Sequence, residues 1–178
     1  MIRIGCPKMQ SEIDRILQQA NSVPVNIEAI ARGLGLGVVR NATLAEGISG
    51  QIKRLPNGRF EVASSKHEHH FRQRFTLAHE LGHYLLHRSL IGEGIDDDTK
   101  YRSTDTGEFY NTDIDLAHER QANSFAAKVL MPEDLLRAEF TKARDPEGNV
   151  DVGALCGKFQ VSRSAMEWRL KNLGLLPR

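Results

Sequence analysis

FRQRFTLAHELGHYLLHRSL, residues 71–90, is the stretch that decides the fold of this chain. Its apolar residues recur with helical spacing and no proline interrupts them, which predicts one long helix over the whole stretch. The segment contains the pentapeptide HELGH at residues 79–83. Because residues four apart lie one above the other on a helix, His79 and His83 can bind the same metal ion.

The residues between the two histidines fit hydrolytic metal chemistry. Glu80 projects near the metal but away from the ligand axis, where it can take a proton from a metal-bound water. A bound zinc favours this transfer because it lowers the pKa of that water to about 7. Gly82 leaves space in which a metal or a substrate could approach closely. The alternative interpretation is an ordinary helix that carries two histidines.

A catalytic zinc usually has three protein ligands, so one more must come from elsewhere in the chain. The side chains that could supply it are Glu119, His118, Glu108, Asp113 and His87. Glu119 is preferred because it lies near the start of a second predicted helix, residues 115–131, on the same face as Ala122, Asn123 and Ala126. A buried carboxylate there would be costly without a partner such as a metal. A solvated carboxylate at the helix N-terminus remains the alternative.

The rest of the chain predicts an α+β domain of mostly helices with a small β-sheet. The other predicted regions are N-terminal helices within residues 1–40, a β-hairpin over 48–63, an irregular loop over 91–114 and a helix-turn-helix-like subregion over 150–178. Pro56-Asn57-Gly58 supplies the turn of the hairpin, and Ser162 is expected to cap the last helix. We expect residues 1–178 to form a single metallopeptidase domain with the two long helices packed around the site.

The composition is that of a globular protein, with 40% hydrophobic and 26% charged residues. A formal net charge of +1 gives no general attraction to nucleic acid or to an anionic membrane. The N-terminus lacks the apolar segment of a signal peptide, and no run is long enough to span a membrane. Cys6 and Cys156 lie far apart and predict no disulfide. These features together predict a reduced, cytoplasmic protein.

Three blocks of sequence also resemble the ImmA/IrrE family of bacterial and phage metallopeptidases. The blocks are RQRFTLAHELGHYLLH (72–87), HERQANSFAAKVLMP (118–132) and FQVSRSAMEWRLKNLGLL (159–176). Three blocks in this order are far more specific than the pentapeptide alone. The resemblance implies a gluzincin-like zinc site in which His79 and His83 are ligands. By the same correspondence Glu119 is the third ligand and Glu80 is the general base.

The resemblance further implies a substrate class. Members of the family typically cleave a helix-turn-helix repressor encoded beside them, which induces stress-response, mobile-element or phage genes. We therefore expect an endopeptidase that uses one zinc ion, with manganese as a second suitable metal, to cleave a partner regulatory protein. Because the sequence before the first helix is too short for a repressor-like domain, the expected partner is a separate protein.

Two other functions stay open. The protein could be a binding module that holds a repressor or toxin partner around a structural or weakly active metal site. The subregion over residues 150–178 has a small excess of basic residues and could bind DNA. Its apolar residues, among them Trp168 and Leu170, instead favour packing within the domain, so direct nucleic-acid binding is disfavoured.

Some smaller features also have two interpretations. An edge strand of the hairpin could bind an extended substrate by strand addition, or the hairpin could be purely structural. His87 continues the stripe of His79 and His83, where it could support the site or cap the helix as a cation. His67, His69 and His70 are expected to be a solvated strand end rather than a metal site.

Overall fold

A small mixed sheet packed on helices forms the part of the chain that the computed structural model describes, residues 7–98 and 114–177. The helices are α1 (Pro7–Gln19), α2 (Ile27–Gly33), α3 (His70–Leu86), α4 (Leu116–Leu130), α5 (Glu133–Lys142), α6 (Val152–Phe159) and α7 (Arg163–Asn172). The strands are β1 (Gly37–Ala42), β2 (Ile48–Arg54), β3 (Phe60–Ser65) and β4 (Gly94–Asp98). The prediction of a mostly helical α+β fold is confirmed, and α3 and α4 are the two long helices predicted from periodicity.

The sheet has the strand order β1-β3-β2-β4, in which β1 is parallel to β3 and the other neighbours are antiparallel. The predicted hairpin is formed by β2 and β3, and Gly58 in its turn has a φ of +78°, which suits glycine. Both hairpin strands are interior, because β1 pairs with β3 and β4 pairs with β2. The suggestion that an edge of this hairpin receives a substrate strand is therefore wrong.

The irregular loop predicted over residues 91–114 is wrong in its first part, where β4 forms. This strand joins the sheet through backbone hydrogen bonds to β2, which require no alternation of apolar side chains. Ile95 faces the core and lies opposite Ile52 in the register. Residues 99–113 of the predicted loop lie outside the described residues.

Helix α3 is shorter than predicted, because it ends at Leu86 and residues 88–90 form a 3-10 turn. Its N-terminus is capped by the exposed His69, whose Nδ1 accepts a hydrogen bond from the backbone N–H of Phe71 at 3.2 Å. The neighbouring His70 is also exposed. The histidine cluster is exposed, as expected, but His69 and His70 belong to the start of a helix and not to a strand end.

Helices α3 and α4 approach each other closely at Gly82. A Cβ atom on this residue would lie 3.0 Å from Ala122 Cα and 3.2 Å from a ring carbon of Phe125. The glycine therefore allows the two backbones to meet, and the expectation that it leaves room for a metal or substrate is wrong. This close crossing brings the face of α3 that carries His79 and His83 against the first turn of α4.

The C-terminal subregion forms the predicted helix, turn and helix. Ser162 caps α7, and its Oγ accepts a hydrogen bond from the backbone N–H of Ala165 at 3.2 Å. Leu170 is fully buried, as expected, but the expectation is wrong for Trp168, which is 49% exposed. Leu116 is also exposed, by 67%, at the start of α4.

The basic residues of this subregion are largely engaged within the chain. Lys158 pairs with Glu139 of α5, and Arg163 pairs with Glu167 at 2.7 Å. The buried Arg169 donates a hydrogen bond to the carbonyl oxygen that follows α4. These contacts favour a packing role over contact with DNA phosphates.

Two further expectations concern the redox state and the membrane. Cys156 is buried with a free thiol, whereas Cys6 lies outside the described residues. Across residues 7–98 and 114–177, no helix combines the length and the apolar character that crossing a bilayer requires.

Candidate metal centre

A capping box fixes the first turn of α4. Asp115 Oδ1 accepts hydrogen bonds from the backbone N–H groups of Ala117 at 2.7 Å and His118 at 3.0 Å, and His118 Nδ1 accepts one from the Asp115 N–H. His118 is therefore a capping residue, not a member of the metal-binding cluster. Glu119 follows directly, is only 4% exposed, and points into the interface with α3. The alternative of a solvated carboxylate is contradicted by this burial.

Three buried donor atoms converge between α3 and α4. Nε2 of His79 and Nε2 of His83 lie 2.9 Å apart. The carboxylate oxygens of Glu119 lie 3.0 Å from the first of these nitrogens and 3.1 Å from the second. Ligands at about 2.0–2.1 Å from one tetrahedral ion lie about 3.3 Å from each other, so the observed separations are close to those of a zinc site. These three residues could hold one metal ion.

Hydrogen bonds on the outer side of each imidazole determine which ring nitrogen carries the proton. His79 Nδ1 lies 3.0 Å from Asn123 Oδ1, an acceptor, so Nδ1 is protonated and Nε2 keeps its lone pair. His83 Nδ1 lies 3.1 Å from His87 Nδ1. His87 Nε2 in turn lies 2.9 Å from Gln121 Oε1, again an acceptor. Outer partners of this kind orient the histidine ligands of metal sites.

His87 is a neutral link in this chain of hydrogen bonds. Burial lowers the pKa of its imidazole, and only 4% of the residue is exposed. Its Nε2–H donates to Gln121, which leaves Nδ1 to accept a hydrogen bond from His83 Nδ1–H. The interpretation of His87 as a cationic helix cap is therefore wrong, and its interpretation as a support of the site is favoured.

This proton arrangement makes the cluster a good match for a divalent metal. Both Nε2 atoms present lone pairs, and they face the Glu119 carboxylate in a buried space. Lone pairs that converge in a site of low polarity repel each other unless a cation lies between them. Two imidazoles and one carboxylate are also the donor types that zinc accepts. The donor set therefore fits the predicted metal.

Glu80 lies on the side of α3 that faces the sheet. It is fully buried, and a Cβ added to Gly50 of β2 would lie 3.4 Å from its Oε1. The same added Cβ would lie 2.0 Å from the methyl group of Thr76, which is an impossible contact. Gly50 is thus required for α3 to lie directly on β2. Glu80 follows His79 in the chain, and its side chain lies between α3 and strand β2 of the sheet.

Several contacts that complete this site were not predicted from the sequence. Asn123 was expected on the same helical face as Glu119, but its hydrogen bond with His79 was not. Gln121 gives no signal in the sequence, because its contact depends on how α3 and α4 cross. Gly50 was detectable as a glycine inside a predicted strand, which often marks a close backbone approach. The ligand candidates Glu108 and Asp113 lie outside the described residues.

Comparisons with known proteins agree with this geometry. A peptidase family model described as the IrrE N-terminal-like domain matches residues 36–171. Among solved structures, a Mycobacterium tuberculosis transcriptional regulator is similar, with a TM-score of 0.59 and 16% sequence identity. The match covers 93% of this chain but 47% of the regulator, so the chain spans about half of that protein's length, and the likeness concerns the fold alone. A search of functionally curated proteins gives no significant match.

The family model spans most of the chain, including all of α3 and α4. It thereby contains the two helices whose side chains form the candidate metal-binding cluster. The sequence resemblance to the ImmA/IrrE proteins is confirmed on this basis, and the chain belongs to the IrrE N-terminal-like family of metallopeptidases.

Proposed function

We propose that the protein is a zinc-dependent endopeptidase whose metal ligands are His79, His83 and Glu119. The observation that carries this proposal is the convergence of two imidazole lone pairs and one carboxylate between two helices, in a buried site. When bound, zinc would polarise the carbonyl of the scissile peptide bond and make water a nucleophile at neutral pH. Manganese is the second metal that these ligands would accept.

Glu80 is proposed as the general base and acid. It follows a ligand directly on α3, so it moves with the site as one rigid unit. Its carboxylate would take a proton from the attacking water and deliver it to the leaving amine, which is a task for a positioned carboxylate. Its complete burial keeps bulk water from competing for that proton.

The proposed substrate is a partner regulatory protein, most simply a helix-turn-helix repressor encoded beside this chain in the cytoplasm. This part rests on the resemblance of the three sequence blocks to the ImmA/IrrE proteins. The proposal treats residues 1–178 as one domain. In support, a single cluster of buried apolar side chains extends from Ile13 in α1 to Leu170 in α7.

The test is a comparison of three purified proteins with the neighbouring repressor and zinc, followed by mass measurement of the fragments. Wild-type protein should cut the repressor. Glu80→Gln should bind zinc with unchanged stoichiometry and cut about 10²–10⁴-fold more slowly, because it lacks only the proton carrier. Glu119→Ala should lose zinc and activity together.

Two outcomes would contradict this proposal in different ways. Cleavage by Glu80→Gln at the wild-type rate would remove the general-base role. Tight binding of an uncut repressor by zinc-loaded wild-type protein would instead favour the alternative, a partner-binding module with a structural metal. Unchanged zinc stoichiometry in Glu119→Ala would show that this carboxylate is not a ligand.

A further inference from the structure

A groove of about 380 Å³ opens between α3, α4 and α7, beside the metal centre rather than in it. Its apolar surface comes from all three helices. The residues that supply this surface are Phe71, Phe75, Ala127, Ala165 and Trp168. Arg72 and Arg120 stand at its rim. We call this feature the three-helix groove; its volume lies within the range typical of ligand-binding clefts.

The apolar part of the groove contains an exposed aromatic side chain. Trp168 is the only tryptophan in the sequence and is 49% exposed, although it lies on a helix whose neighbouring Leu170 is fully buried. Large aromatic side chains left open in a concave surface are typical of binding sites. Tryptophan in particular contributes much contact area for little loss of side-chain entropy.

The rim of the groove is positively charged. Arg72 and Arg120 are exposed, and neither forms an ion pair with any residue in the described part of the chain. By contrast, Arg163 on α7 is paired with Glu167, next to the same groove. The described lining also contains no carboxylate. An occupant that complements this surface must combine an apolar group with negative charge.

One side chain links the groove to the metal centre. Asn123 lines the groove, and its Oδ1 accepts the hydrogen bond from His79 Nδ1. Phe75 lies one helical turn before His79 on α3 and also lines the groove. The groove thus borders the metal centre on the outer side of His79, and a protein substrate long enough to span both would contact the groove.

We infer that the three-helix groove binds a segment of the peptide substrate in which an apolar side chain is flanked by acidic residues. The inference rests on the proposed peptidase function and names a specificity site for it. The apolar side chain would pack on Phe75 and Trp168, and the acidic residues would pair with Arg72 and Arg120. A nucleic acid fits less well, because the lining formed by the described residues offers two cations and a short apolar floor instead of a basic track.

Trp168 provides a direct readout, because all tryptophan fluorescence comes from this residue. The experiment uses zinc-loaded Glu80→Gln protein, so that binding is measured without cleavage. The probes are the hexapeptide SELLES, blocked at both ends, and its lysine analogue SKLLKS. The acidic peptide should shift the emission to shorter wavelength in a saturable way, and the basic peptide should bind at least about tenfold more weakly. Added salt should reduce this difference by screening.

Charge variants test the rim while the reporter stays in place. Exposed ion pairs contribute up to about fivefold each in affinity, so Arg72→Gln combined with Arg120→Gln should weaken SELLES binding about tenfold. The matched control is Lys142→Gln, which removes one positive charge from an exposed side chain of α5 outside the groove and should leave the affinity unchanged.

Several results would overturn the inference. Equal affinity for both peptides, an unshifted Trp168 emission, or equal losses in the control and the double variant would each remove it. Tighter binding of a single-stranded oligonucleotide than of SELLES would assign the groove to nucleic acid instead. If the wild-type protein cuts its repressor but SELLES does not bind, the groove assignment fails and the peptidase function stands. If SELLES binds but the wild-type protein does not cut its repressor, the peptidase function fails and the groove remains a peptide-binding site without a role in cleavage.

Discussion

Two helix pairs in this molecule are built on opposite principles. Between α3 and α4 the buried side chains include His79, His83 and Glu119, and the backbones meet at Gly82. In α6, α7 and the turn between them the buried side chains are mostly apolar: Leu155, Cys156, Phe159, Val161, Met166 and Leu170. The exception is the buried Arg169, which donates a hydrogen bond to the carbonyl oxygen of Met131. The first pair therefore excludes water from polar groups, whereas the second pair excludes it from hydrocarbon.

The difference shows where the fold gives up stability for chemistry. Burying a polar group is costly unless it finds partners, while burying a leucine side chain is favourable by about 1.5–3 kcal/mol. The α3–α4 pair limits this cost by hydrogen-bonding the outer nitrogen of each histidine to a further side chain, Asn123 or His87. Sites that break the usual rules of burial in this way are expected to be functional.

The largest effect should come from breaking the hydrogen-bond chain behind the proposed metal ligands. We expect His87→Phe to lower zinc affinity about 10–100-fold, because His83 Nδ1–H loses its acceptor and the ring loses its fixed orientation. Competition with a chromophoric chelator measures this affinity. Thermal unfolding of the metal-free variant separates the loss of a positioning role from general misfolding.

The matched control for this variant is His70→Phe, the same change at an exposed position of the same helix. It should leave zinc affinity unchanged. If both variants lose affinity equally, or if His87→Phe binds zinc as the wild type does, the hydrogen bond from His83 to His87 does not orient the ligand.

A second prediction compares one glycine from each helix pair. Gly82→Ala should destabilise the protein by about 1–3 kcal/mol, because the added Cβ would press on the α4 backbone at 3.0 Å. Gly157→Ala in α6 should instead stabilise it by about 0.5–1 kcal/mol, since no atom of the described residues lies within 4 Å of the new Cβ and alanine is the better helix former. Urea unfolding measures both, and shifts of the same sign would contradict the proposed packing.

The same contrast explains how far the sequence predicts the structure. The periodicity of α3 and α4 and the turn at Pro56-Asn57-Gly58 are local signals, and both long helices and the hairpin form where they are predicted. Strand β4 was missed because GIDDD has no apolar alternation, and its pairing with β2 depends on backbone groups that every sequence has. A strand at the edge of a sheet can therefore escape detection by pattern.

The site shows the same division between local and tertiary information. Helical spacing alone places His79 and His83 on one face, and the structure brings them together with Glu119. The partner of His87 is Gln121 of α4, which only the crossing of two helices can specify. The exposure of Trp168 also depends on tertiary structure, because the groove that its side chain lines is formed by three helices.

The smallest effect should come from the ion pair that joins α5 to α6. Glu139 of α5 accepts hydrogen bonds from Lys158 of α6 and, at 2.9 Å, from Lys142, and these contacts lower the pKa of its carboxyl group. A carboxyl group with a lowered folded-state pKa stabilises the fold above its ordinary pKa, and this stability is lost as the pH falls through the folded-state value. Glu139→Gln should therefore flatten the acid side of the stability curve below about pH 4.5.

Stability measured by thermal unfolding from pH 3 to pH 7 tests this prediction, with Lys158→Gln as the partner variant. Because Glu139 joins α5 to α6 through Lys158, the two changes should be less than additive near neutral pH. Zinc affinity at pH 7 should stay the same in both variants, since the contact lies outside the α3–α4 pair. If the stability of Glu139→Gln falls with acid as steeply as that of the wild type, the contacts of Glu139 with Lys158 and Lys142 contribute nothing to stability.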